Sequence, residues 1–264
     1  MKARFVGTLI NKKFDTDKLE FPTQIEPVAP HFLANCDLLR RSVTKYVMPL
    51  SMLNRVLFAL AEHYGPRPDA ITLWSHYITH YFDSPDLVLF CDHRQARRIR
   101  YKIRVRHYLD RKLSFTEIKK RIKPSFTEKF RQTKEFMASA LNSEEIELFN
   151  QMTFPRQILL IPQLSMEFRR LTLLGRNTIE RITFDRNLCF KNDQRSHSID
   201  NVVIIEVKQK RACRSTFALQ ILRKYSLRPT SVSKYCLGIL ALKDGLQPLR
   251  LREQLRIVER ANHD

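Results

Sequence analysis

"RYKIRVRHY", residues 100–108, sets basic and bulky side chains in strict alternation. Successive side chains of an extended strand point to opposite faces, so Lys102, Arg104 and Arg106 share one face while Ile103 and Val105 share the other. The pattern recurs. In "FTEIKKRI" (115–122) Glu117, Lys119 and Arg121 fall together. In "IERITFDRN" (179–187) Arg181, Thr183 and Asp185 do so, opposite Ile182 and Phe184. In "VVIIEVKQK" (202–210) Glu206, Lys208 and Lys210 lie opposite Val203, Ile205 and Val207.

A sheet with one wet face is the ordinary explanation of such alternation. These faces are rich in arginine, however, and the chain has enough helical segments to cover the apolar faces. The charged faces are then left looking at one another, as in a sheet closed into a barrel. Inside such a lumen each close cation pair repels by about 4 kcal/mol at an effective dielectric near ~20, and desolvation adds to the cost. Water and a multiply charged anion relieve it. Arginine forks match phosphate oxygens two at a time, and Glu117 and Glu206 among the cations would hold a divalent ion riding on the phosphates.

The flanking sequence supplies strands and helices for that arrangement. "RRSVTKYVMP" (40–49) reads as a strand ending at Pro49, and "SMLNRVLFALAEHYG" (51–65) as a helix started by Ser51 and ended by Gly65. "ITLWSHYITHYFD" (71–83) is rich in β-branched and aromatic residues. Its His76 and His80 recur four apart, but a strand-like run argues for packing over metal binding, and Asp83 reads as a turn former before Pro85. The segments around 100–108 and 113–122 form a hairpin that Pro124 closes. "SFTEKFRQTKEFMASAL" (125–141) reads as an amphipathic helix with Phe126, Phe130, Met137 and Leu141 on its stripe, and "SEEIELFNQM" (143–152) as a shorter one. Strands are expected in "RQILLIP" (156–162), "SMEFRRLTLL" (165–174), 179–190 and 201–211, and helices in 215–225, 231–243 and 249–260.

The totals agree with a folded, polyanion-binding protein. Over 264 residues the net charge is +20, from 47 Lys and Arg against 27 Asp and Glu. That charge favours nucleic acid, an anionic membrane or a phosphate-rich ligand without choosing among them. The five cysteines (Cys36, Cys91, Cys189, Cys213, Cys236) show no CxxC spacing, so neither a disulfide framework nor a zinc site is indicated. The amino terminus lacks an apolar run of signal-peptide length, and no segment approaches the roughly 20 apolar residues of a membrane helix. A cytoplasmic protein is the expectation. Residues 1–39 read as an entry segment, 40–240 as the main domain and 241–264 as a basic helical tail, a solvated amphipathic helix with membrane or nucleic-acid contact as the alternative.

In order along the chain, "YFDSPDLVLF", "RYKIRVRHY", "LSFTEIKKR", "TEKFR", "RITFDRNL", "VIIEVK" and "SKYCLG" resemble the motifs of VTC-type polyphosphate polymerase domains. These are triphosphate tunnel metalloenzymes of the CYTH-like superfamily. The resemblance implies an α+β fold: an antiparallel barrel of about eight strands forming a phosphate tunnel, helices packed outside, and one helix plugging it. It implies tunnel roles for Arg104, Arg106, Lys119, Arg170 and Arg181, with Lys129 contributed by the plugging helix. It also implies phosphate contacts from Lys45, Lys208, Ser233 and Lys234, and a metal site at Glu206 with Glu117. The implied reaction moves the γ-phosphoryl group of ATP onto a growing polyphosphate chain, with Mn²⁺ or Mg²⁺ and release of ADP. A tripolyphosphatase or nucleotidase using the same tunnel, or a non-catalytic polyphosphate-binding accessory protein, is the alternative. No nucleic-acid partner is expected. One departure stands out: where the superfamily opens with ExExK this chain has Arg41, Val43 and Lys45, so both carboxylates are missing.

Overall fold

The computed structural model describes residues 26–29, 42–123, 126–210, 213 and 215–264. The entry segment and Pro124 therefore lie outside the described residues, apart from 26–29. One antiparallel sheet organises the rest. Its strands are β1 (Ser42–Pro49), β2 (Tyr64–Pro66), β3 (Ser75–Asp83), β4 (Arg100–Tyr108), β5 (Leu113–Lys123) and β6 (Phe126–Lys134). They are followed by β7 (Ile161–Gly175), β8 (Glu180–Lys191), β9 (Ser196–Ile199) and β10 (Val202–Gln209). The main path runs β1-β10-β8-β7-β3-β4-β5-β6, with β2 added to β7 and β9 to β8.

The sheet curls into a half-barrel that stays open between β1 and β6 among the described residues. If flat, β1 and β4 would stand roughly 24 Å apart, five strand spacings along the path. Instead, Lys45 of β1 donates to the carbonyl of Val232 and Lys102 of β4 donates to the hydroxyl of Ser233, at 2.7 and 2.9 Å. Two amines that reach adjacent residues must face each other across a concave surface.

Strand parity sorts the side chains between the two surfaces. On the convex side Tyr46, Met48, Ile182, Phe184, Val203, Ile205 and Val207 form one core, under helices α1 (Leu53–Leu60) and α4 (Phe217–Lys224). Tyr101, Ile103, Val105 and Ile118 form another with Phe149 of α3 (Ser143–Thr153). The opposite parity carries the charges, and at its lower end Val47, Ile204, Leu188, Phe190, Leu164 and Phe168 pack on α5 (Lys234–Leu242) and α6 (Arg252–His263). Asn187, with φ of 52°, shifts the alternation of β8 so that Asp185 and Leu188 can share this surface. The 249–260 segment is helical in its later part, and Val258 and Ala261 of α6 are buried in this core.

Four segments differ from the sequence reading. The expected plugging helix over 125–141 is instead strand β6, paired with β5 from Phe115↔Thr133 to Arg121↔Thr127. Phe126 and Phe130 are four apart, a spacing on one face of a helix and of a strand alike, whereas Met137 and Leu141 fall beyond the strand. Pairing with β5 decides between the two. Residues 161–175 form one long strand where two were expected, and 88–94 form a short helix, α2 (Val88–Arg94). Gly65 ends no helix: it sits in β2, where a Cβ would stand 2.6 Å from the carbonyl oxygen of Glu26.

Asp83 does more than turn the chain. Its buried carboxylate accepts the backbone N–H groups of Ser84, Leu89 and Phe90, each at 2.8 Å, and the Tyr235 hydroxyl of α5. Gly238 lets α5 lie close on the sheet, since a Cβ there would meet Phe190 Cδ1 at 2.6 Å and Leu164 Cδ2 at 2.9 Å. Gly238→Ala is therefore expected to destabilise the fold by about 1–3 kcal/mol, the usual range for overpacking, despite alanine's better helix propensity. A lower urea midpoint with unchanged slope would register it; an unchanged or raised midpoint would not fit.

Candidate functional site

The charged part of the concave surface is built rung by rung. Cross-strand register places Lys102, Lys119 and Lys129 abreast on β4, β5 and β6. The next rung holds Arg104, Glu117 and Arg131; beyond it stand Arg106, Phe115 and Thr133. On the facing wall Lys45 of β1 opposes Glu206 of β10, which opposes Thr183 of β8, while Lys208 opposes Arg181. Asp185 opposes Arg170 of β7. Lys119 and Glu206 lie five steps apart along the sheet path, yet the field of the Glu206 carboxylate is felt at Lys119. All the site residues read from the sequence thus converge on one basin, with Lys129 arriving on a strand.

Three carboxylates neutralise part of this charge, and each is shared. Glu117, 1% exposed, accepts Arg104 Nε at 2.8 Å and Nη2 at 2.5 Å, with Lys129 Nζ at 2.6 Å and Arg131 Nε at 3.8 Å from its other oxygen. Asp185 is gripped by Arg170 at 2.5 and 2.6 Å and by Lys234 at 2.5 Å. Glu206 stands 2.9 Å from Lys208 and 3.8 Å from Lys45. Burial alone would raise all three carboxyl pKa values, but the surrounding cations win: Asp185 is drawn down to about 2, and Glu117 and Glu206 well below the usual range. They are ionised at neutral pH.

Lys119, Lys102 and Arg106 form no ion pair with a carboxylate among the described residues. Lys119 makes no ion pair or hydrogen bond there, and the Arg104 field together with burial holds its pKa well below the ordinary lysine value. Lys102 bonds only the Ser233 hydroxyl, and desolvation brings it to about 8. Arg106, 5% exposed, gives its Nε to Thr79 Oγ1 at 3.0 Å and leaves both terminal nitrogens without a hydrogen bond. It lies 5.8 and 5.5 Å from the rings of Tyr77 and Phe168, which stack on each other; Arg170 lies 5.4 and 5.3 Å from the same rings. Cation–π contact orients both guanidiniums without satisfying their hydrogens.

Asp185, Tyr81, Tyr77 and Thr79 belong to the site although no role was assigned to them from sequence. Tyr81 accepts from Arg104 Nη1 at 3.2 Å. Burial raises its pKa, but Arg104, Arg106 and Lys102 together turn the balance downward. A signal for Asp185 was present in its place on the face of Arg181 and Thr183. His76 pairs with Glu167 at 2.5 Å, away from the basin's rungs, and His80 stacks edge-on with His107. Among the described residues no group of three or more His, Cys, Asp and Glu could hold a metal ion, and none of their helices is long and apolar enough to cross a membrane.

A curled antiparallel sheet with a cation-lined hollow and helices outside defines the class, an α+β half-barrel. The chain belongs to the VTC domain family, whose family model matches residues 40–243. Among solved structures it is similar to a candidate adenylate cyclase from Bacillus halodurans, with 13% identity and a TM-score of 0.50, covering 74% of this chain and 94% of that one. A candidate adenylyl cyclase from Hippeastrum, described as having a dominant triphosphatase activity, matches with 11% identity and a TM-score of 0.46, covering 75% and 94%. No curated protein matches. Membership of this family points to a phosphoryl-transfer or hydrolase activity.

The depressed lysines carry a pH signature. Lys102 loses its proton near 8 in the fold but near ~10.4 in the unfolded chain, and Lys45, Lys119 and Lys129 are displaced in the same direction. The unfolded state therefore binds more protons between these values, and stability rises with pH. The urea midpoint of the unliganded protein is expected to increase from pH 8 to about 10, where tyrosines begin to ionise. A flat or falling midpoint over that interval would contradict the buried-lysine assignment.

Proposed function

We propose that the basin binds the phosphate tail of ATP and passes its γ-phosphoryl group to the terminal phosphate of a polyphosphate chain, releasing ADP. The observation that carries the reading is a surplus of cations: Arg106, Lys102 and Lys119 form no ion pair with a carboxylate among the described residues, although the fields of Glu117 and Glu206 reach Lys119. Phosphoryl transfer asks mainly for positioning and for neutralisation of charge on the equatorial oxygens. Arg106 and Arg170, oriented on the Tyr77–Phe168 stack, would grip the transferred group. Lys119, Lys102 and Lys45 would hold the phosphates on either side, with Lys129, Lys208, Arg181 and Lys234 setting the field around them.

The carboxylates favour transfer over hydrolysis. Activating water needs a base able to accept a proton, yet Glu117, Asp185 and Glu206 are each held by two or more cations and pushed toward weak basicity. An incoming polyphosphate oxygen is already anionic and needs no base. The same pairing makes a resident metal held by protein alone a poor fit, and Glu117, wrapped by Arg104 and Lys129, has little room for one. A Mn²⁺ or Mg²⁺ would instead arrive on the phosphates, where it neutralises charge, and Glu206 is the residue that could lend it an oxygen.

ATP with Mn²⁺ or Mg²⁺ is expected to give long polyphosphate and ADP when products are resolved by size. Arg106→Ala should lower kcat/KM by about 10²- to 10³-fold, as for loss of one transition-state donor, while unfolding stays cooperative. Orthophosphate as the sole product would replace this reading with hydrolysis. Tight tripolyphosphate binding without turnover would replace it with an accessory binding role.

A further inference from the structure

Residues 232–235 tie themselves, one after another, to four different strands. The Val232 carbonyl accepts Lys45 of β1 at 2.7 Å, and the Ser233 hydroxyl accepts Lys102 of β4 at 2.9 Å. Lys234 pairs with Asp185 of β8 at 2.5 Å, and the Tyr235 hydroxyl donates to Asp83 at the end of β3. Tyr235 is 2% exposed and its ring lies 5.1 Å from that of Tyr81, which in turn accepts from Arg104. In a sheet left open between β1 and β6, these four residues are a clasp across the hollow.

The clasp also interrupts a lane of positive charge. Along β4 the inward residues run Arg106, Arg104, Lys102, Arg100, six residues or roughly 20 Å of strand. That is longer than three linked phosphates. Lys102, engaged by Ser233, stands two-thirds of the way down, and below it Arg100 opposes Arg121 in register. Two guanidiniums set opposite each other repel, and burial with the Arg121 field lowers the Arg100 pKa. Arg100 Nε is buried without a hydrogen-bond partner. The carboxylate whose field reaches it, Asp92, is already engaged by Arg156 at 2.8 Å and Arg97 at 3.3 Å.

We infer that the 232–235 clasp is a gate on this lane, and that Arg100 below it forms a landing for the distal phosphates of long inorganic polyphosphate. The inference rests on the polyphosphate reading of the basin. A tripolyphosphate or nucleotide tail is held above the gate by Arg104, Arg106 and Lys119. A longer chain reaches Lys102, whose present acceptor is a neutral hydroxyl, and Lys45, which donates to a carbonyl and stands 3.8 Å from Glu206. Charge-assisted contacts to phosphate are stronger than these and displace them. Lys234 and Tyr235 keep α5 docked while the two lysines turn to the chain.

Calorimetric titration of tripolyphosphate and long-chain polyphosphate, at one ionic strength because such affinities depend steeply on salt, separates the outcomes. Arg100→Ala is expected to weaken long-chain binding about tenfold through loss of a charge-assisted contact. Tripolyphosphate affinity should move less than about twofold, because a chain of three phosphates held at Arg104 and Arg106 does not reach Arg100. Ser233→Ala, which removes the hydroxyl that holds Lys102, should tighten the long chain relative to tripolyphosphate by about threefold or more through a shift in the open population. Equal shifts for both lengths in either variant overturn the inference. Failure of tripolyphosphate to bind the wild-type protein would overturn the reading of the basin instead.

Discussion

Cations forced together on the inside of a curled sheet are the constraint from which the rest of this structure follows. Glu117, Asp185 and Glu206 each serve two or more basic side chains, and they do not suffice for Lys102, Lys119 and Arg106. A fold usually avoids such a surplus, because a buried charge without a partner costs several kcal/mol. Its presence here lowers the lysine pKa values, which is the form that electrostatic stress takes when no counter-ion is at hand. A polyanion relieves that stress, so ligand binding and stability draw on the same interaction.

The packing holds the stressed groups in place. Convex cores under α1, α3 and α4 stiffen the sheet from behind, and α5 and α6 fill the lower concave end. Aromatic rings inside the basin, Tyr77 and Phe168 above all, support guanidiniums by their faces and leave N–H groups directed elsewhere. Asp83 anchors Tyr235 and with it the first turn of α5, where Ser233 and Lys234 stand. A residue that looks like a turn former thereby connects the end of β3 to the floor of the site.

Much of this was legible in the sequence wherever the interaction was local. Alternation in 100–108, 115–122, 179–187 and 202–210 identified the strands and the face each presents, since period two needs only neighbouring residues. The segment 125–141 was misread because phenylalanines four apart satisfy both periods and only partnership with β5 distinguishes them. The sharing of Glu117 among Arg104, Lys129 and Arg131 depends on the register of three strands. Asp185 lay in view on the right face, but its grip on Lys234 joins residues 49 positions apart, and the clasp at 232–235 reaches back to Lys45. Contacts of that range have no signature in spacing.

The central claim is that these cations form one hollow needing a multivalent anion. Thermal unfolding with tripolyphosphate and with orthophosphate, at matched ionic strength and without added metal, tests it most directly. A ligand held only by the folded state raises the midpoint according to its affinity. Tripolyphosphate at tens of micromolar should raise the midpoint by several degrees while orthophosphate at the same concentration leaves it unmoved. Equal effects from the two anions, or none from either, would show that the basic side chains act as separate surface charges.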